Sequence, residues 1–271
     1  MRLFIPLVLL VLAAGLRAEE TSRPATPEEV GLFKEAIKNT TQDTEHWAYT
    51  ETTVMKSSKG RVREETVVRF DPSRPWPEQY TPLKIEGKAP TEKQLKKYRE
   101  RGEKRGERLA QMAEPAEATA PDRPAATKPE RSKKVTLDLN HPRVLKDEGD
   151  RLVYEAALKA TAKDIPVDKF EVRVVVGKAA RQVEHISLRL RESFRVKLVA
   201  KVKAGEASAD FAVVDPKYGP VMTSATGSFG ASLLFVPVSG IFTNTRTEWE
   251  RVKPYNDRLK VKLGPLEVLD F

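Results

Sequence analysis

Cysteine is absent from all 271 residues, and histidine occurs only three times. The first absence removes thiol catalysis, thiolate metal sites and disulfides, so buried core must hold the fold together. The second leaves little for imidazole chemistry, because His46, His141 and His185 lie far apart and show no metal-ligand spacing. No Gly-x-Ser-x-Gly elbow, phosphate loop or His-Glu-x-x-His pair is present. The sequence therefore names no metal and no cofactor. Asp and Glu are plentiful, which leaves open a hydrolase whose carboxylates come together only in the fold.

What is present begins with a targeting pattern. Arg2 precedes an apolar run from Leu3 to Leu12, and small residues from Ala13 to Ala18 offer a cleavage site after Ala18. The run is short for a bilayer span, so residues 1–18 read as a signal peptide and 19–271 as the mature chain. The expected location is periplasmic or secreted. The net charge is +9, and loss of Arg2 and Arg17 with the signal leaves +7. A basic surface favours anionic partners, and export argues against nucleic acid.

Thr26-Pro27-Glu28-Glu29 predicts a helix start, with Thr26 and Glu29 as a capping box. Val30, Phe33 and Ile37 then form one apolar stripe, ending near Thr40. Trp47, Tyr49, Glu51, Thr53 and Met55 alternate, as do Val62, Glu64, Thr66, Val68 and Phe70. With a turn at Ser57–Gly60 between them, these runs predict an antiparallel hairpin. The prolines from Pro72 to Pro82 exclude a central strand through 71–79, and a short strand is expected at Leu83–Glu86. Thr91 and Gln94 cap a second, charged helix running to about Met112. Its Gly102 and Gly106 read as marks of a frayed, solvated helix. Residues 113–134 are rich in Pro, Ala, Glu and Lys, the composition of a disordered insertion.

From Val135 onward every patterned segment reads as strand. The runs are Leu152–Leu158, Phe170–Val176, Ile186–Leu190, Val196–Val202, Phe211–Val214, Val221–Phe229, Leu233–Val238 and Phe242–Arg251. No strand–helix alternation appears, which argues against a parallel nucleotide-binding sheet. The fold class is α+β, mainly β: a strongly curved antiparallel sheet in one domain, with two helices on one face.

Two surfaces follow. Arg189, Arg191, Arg195, Lys197, Lys201 and Lys203 alternate with aliphatic residues, as on a solvated sheet face or one that meets an anionic membrane or protein. On the opposite face Val172, Val174, Leu188, Leu198, Phe235, Phe242 and Trp249, with Phe33 above them, are candidates to line an apolar cavity. A filled core is the competing reading of this set.

The signal peptide, the Val30–Phe33–Ile37 helix, the Trp47–Phe70 hairpin and the meander from 151 together resemble the half-barrel envelope proteins. That group includes the outer-membrane lipoprotein carrier and receptor and a periplasmic regulator that binds an anti-sigma factor. The resemblance implies an antiparallel half-barrel with helices across its concave face, binding acyl chains or a lipidated protein without catalysis. The alternative it leaves is an envelope regulatory or structural protein that binds another protein through its sheet face.

Overall fold

The computed structural model describes residues 22–41, 44–113, 135–160, 166–196, 200–233 and 236–255. The expected signal peptide and all but the first residue of the 113–134 insertion lie outside them. Among the described residues two α-helices, α1 (Pro27–Thr41) and α2 (Glu92–Ala113), accompany fourteen strands. These are β1 (Arg23–Pro24), β2 (Trp47–Lys56), β3 (Val62–Phe70), β4 (Tyr80–Ile85), β5 (Val135–Leu137), β6 (Arg143–Asp147) and β7 (Arg151–Ala156). The rest are β8 (Leu158–Ala160), β9 (Phe170–Gly177), β10 (Gln182–Leu190), β11 (Phe194–Val196), β12 (Ala200–Ala212), β13 (Val221–Leu233) and β14 (Val236–Arg251).

Twelve strands form one sheet in the order β1-β6-β7-β9-β10-β12-β13-β14-β2-β3-β4, with β11 paired to β12. Every pairing in it is antiparallel. β5 and β8 make a separate pair. The first hairpin sits beside the last strand, so the sheet joins segments from both sides of residues 114–134. β1 and β4 stand at opposite edges, and the sheet is open.

The hairpin register is the one alternation predicts: Tyr49 faces Phe70, Glu51 faces Val68, Thr53 faces Thr66 and Met55 faces Glu64. Gly60 closes the turn with its N–H on the Ser57 carbonyl at 2.9 Å and a φ of 80°, which glycine adopts without strain. Both capping boxes form. The Glu29 N–H donates to Thr26 Oγ1 and the Thr26 N–H to Glu29, while Gln94 and Thr91 repeat the exchange. Three boundaries differ from the pattern. Leu158 leaves the β7 run and pairs with Leu137 in the small sheet. The Val196–Val202 run folds back on itself, so that Phe194 pairs Val202. Of the two strands expected at 233–251, the first is divided between the end of β13 and the start of β14, and the second continues β14.

Both helices lie on one face. α1 seats Phe33 and Ala36, neither of them exposed, on Tyr154, Val174, Val176 and Val183. The Phe33 and Tyr154 rings are 4.9 Å apart, and the Tyr154 hydroxyl donates to the Glu29 carbonyl at 2.9 Å. Burying a side chain the size of Phe33 stabilises by roughly 2–3 kcal/mol. α2 covers the other end, over β3 and β4, through Trp76 in the proline loop. The glycines of α2 are not a sign of fraying. A Cβ at Gly102 would strike the Trp76 carbonyl and one at Gly106 its indole ring, so both are needed for close approach.

Candidate functional site

The two helices leave a cleft of about 230 Å³ between them. Its floor and walls are Trp47, Tyr49, Phe70, Tyr80 and Trp249, with Phe211 and Met222 below α1. Alternation places these rings. Tyr49 and Phe70 are register partners 5.2 Å apart, Phe70 and Tyr80 stand 5.0 Å apart, and Tyr49 and Trp249 4.9 Å.

Guanidinium groups cap the rings. Arg246 lies over Tyr49 at 4.5 Å, Arg101 over Tyr80 at 4.2 Å, Arg105 over Phe70 at 5.1 Å, and Arg251 over Trp47 at 5.1 Å. Such stacking is favourable, because the ring face is electron-rich and the planar cation is weakly hydrated. Two carboxylates partly balance the four cations. Glu51 accepts from Arg246 Nε at 3.1 Å, and Glu45 accepts from Arg105.

Arg105 is almost fully buried, and its second nitrogen donates to Gln79 Oε1 at 2.6 Å. Gln79 is itself wholly buried and donates to the Arg74 carbonyl at 3.0 Å. The proline loop thus holds in place the amide that orients Arg105. Burial pushes the Tyr49 phenol up to about 12, so it stays protonated at neutral pH. Trp47 is 3% exposed, yet its indole N–H reaches no acceptor among the described residues. Further down the same face Asn244 Oδ1 is also unpartnered, while its Nδ2 donates to Thr53 at 3.0 Å.

Beyond the cleft the helix-bearing face is uncovered. Ala207, Ala209, Ala225 and Gly227 make a low floor there, register-matched to Leu188, Ile186 and Phe242. Phe242 lies over Gly227 and Phe229 over Gly240, each ring filling the space a Cβ would take. Phe229 keeps 40% of its surface exposed and Val238 39%.

The candidate residues separate accordingly. Trp249 lines the cleft, while Phe242 and Leu188 belong to the uncovered face. Phe33, Val172 and Val174 do not line a cavity: they are packed solid in the core under α1. Leu198 and Phe235 lie outside the described residues. The basic row also needs correction. Arg189 and Arg191 are on the far face but bind Glu171 and Glu155, so mixed charge replaces a positive stripe there. Burial raises the Glu171 carboxyl, and the arginines, Arg173 foremost, outweigh it and leave it lowered. Arg195 faces Lys201 across β11 and β12, Lys203 sits at a bulge, and Lys197 lies outside the described residues.

That far face carries a second, open groove of about 490 Å³, lined by Ser187, Ser208, Thr226 and Ser228 with Arg173, Arg189, Glu171 and Glu206. Beside it Asp210 accepts from Ser224 at 2.6 Å and meets His185 Nδ1 at 2.7 Å. The carboxylate stands between serine and histidine, which is not the order that activates a serine nucleophile. No group of three or more metal-ligating side chains occurs among the described residues. None of the described helices is long and apolar enough to cross a membrane.

No family model, curated protein or solved structure matches this chain.

The Arg–aromatic cleft was not legible as a site, because its parts come from β2, β3, β4, α2, β12, β13 and β14. One signal was available. Glu51 and Arg246 each occupy an inward position in an otherwise apolar or small-residue alternation, and they prove to be register partners.

Proposed function

We propose that the chain is a non-catalytic binding protein of the bacterial envelope. It is exported by its N-terminal signal and holds an acyl-bearing ligand on the helix-bearing face of its sheet. In this reading the open sheet acts as a half-barrel, with α1 and α2 as its partial lid. The observation that carries the reading is the half-covered face: an uncovered apolar strip leads directly from the cleft between the helices. From Arg246 to Val238 the strip follows β14 for about 27 Å, at roughly 3.4 Å per residue. A bilayer's hydrocarbon core is about 30 Å and two chains deep, so one acyl chain fits along the strip. Each methylene laid down contributes about 0.8 kcal/mol, which supports affinity without any catalytic group.

Titration with a fluorescent long-chain fatty acid tests this. Saturable uptake by the wild type should be lost in folded Phe229→Glu and Phe242→Glu variants, since a charge on the strip opposes chain burial. Wild-type protein that takes up no acyl probe would end the proposal. The far-face groove favours a second reading, an envelope protein that binds an extended polar partner. Its hydroxyls and alternating charges offer hydrogen bonds along four strands. Loss of partner capture in Ser208→Tyr, with acyl uptake intact, would mark that function.

A further inference from the structure

The cleft is too small for a whole lipid, at about 230 Å³ against the roughly 300 Å³ or more of ordinary ligand pockets. It is also too polar for the end of an acyl chain. Two guanidinium groups line it, Arg105 and Arg246, and two more, Arg101 and Arg251, stack on its rings, against the carboxylates of Glu45 and Glu51. Arg246 engages Glu51 through Nε, and among the described residues its terminal nitrogens donate to no other side chain. Trp47, 3% exposed, holds an indole N–H with no acceptor. A buried donor without a partner is destabilising, and an incoming acceptor removes that penalty.

We infer that the cleft receives a carboxylate, the head of a free fatty acid whose chain lies on the apolar strip. The carboxylate would accept from Trp47 Nε1 and from the free fork of Arg246, beside the Tyr49 and Trp249 rings. A planar two-oxygen anion suits a guanidinium fork and an indole donor together. The inference rests on the acyl-binding reading and adds the head chemistry to it.

Calorimetric titration with hexadecanoic acid, hexadecanol and hexanoate separates the two. The acid should bind at least tenfold tighter than the alcohol. Trp47→Phe, which keeps a ring and removes the N–H, should weaken the acid about tenfold and the alcohol no more than about twofold. Where Trp47→Phe fails to fold, Arg246→Gln with Glu51→Gln serves instead: it removes the pair without leaving an unpaired charge. Equal affinity for acid and alcohol would overturn the carboxylate site and leave acyl binding standing. Hexanoate binding that depends on Trp47, with no gain from chain length, would keep the carboxylate site and remove the strip. Binding of none of the three would end both.

Discussion

The same substitution should have opposite effects at glycines in the two helices. In an exposed helix interior, glycine to alanine stabilises by about 1 kcal/mol, because alanine has less freedom to lose on folding. Gly31 in α1 meets nothing within 4 Å of a built Cβ, so Gly31→Ala should show that gain. Gly102 and Gly106 press on Trp76, so Gly102→Ala and Gly106→Ala should each lose roughly 1–3 kcal/mol through overpacking. Urea denaturation of the three variants checks both signs. The pattern around Gly102 suggests a frayed helix because its partner, Trp76, lies in a different segment. Helix propensity is a local property, and close approach is not. Phe33 shows the converse: its stripe was legible, but whether the sheet below was open or filled depended on Tyr154, Val174 and Val183.

At the scale of elements, α2 carries an unusually charged sequence and still docks by a buried side chain. Arg105 joins Glu45, Gln79, Phe70 and Trp76, four groups from three separate segments. Removing it leaves the wholly buried Gln79 Oε1 without its charged donor. Arg105→Ala should therefore destabilise by about 2–3 kcal/mol. Arg105→Lys should restore little, since one ammonium cannot reproduce a fork that meets an amide and a carboxylate while stacking on two rings. Chemical denaturation of both variants, with the emission of Trp76 as a local reporter, measures this. The elements themselves were largely legible: two capping boxes, one hairpin register and the long meander follow from residue spacing. The boundaries at 158, 196–202 and 233–238 were not, because the apolar alternation runs on through them and the one proline there, Pro237, falls inside β14.

The whole molecule is a large open sheet treated differently on its two sides. One side is polar, with arginines and carboxylates interleaved. The other is filled beneath α1, roofed by α2, and bare along β12, β13 and β14. Its edges are guarded by a two-residue β1 and by Pro82 in β4, which limits pairing with other chains. A bare apolar strip on so guarded a sheet invites a small ligand more than a second sheet. Composition contributes to the proposed binding role only through the lack of cysteine and of catalytic spacing in the sequence. The chemistry of the cleft required the fold, since no two of its arginines and rings form a sequence motif. Native mass spectrometry of the protein exported to a bacterial periplasm tests the central claim most directly. The account predicts a mature chain beginning at Glu19 that carries one fatty-acid mass, which is lost in Phe242→Glu. A wild-type chain of bare mass, unchanged after incubation with hexadecanoic acid, would contradict it.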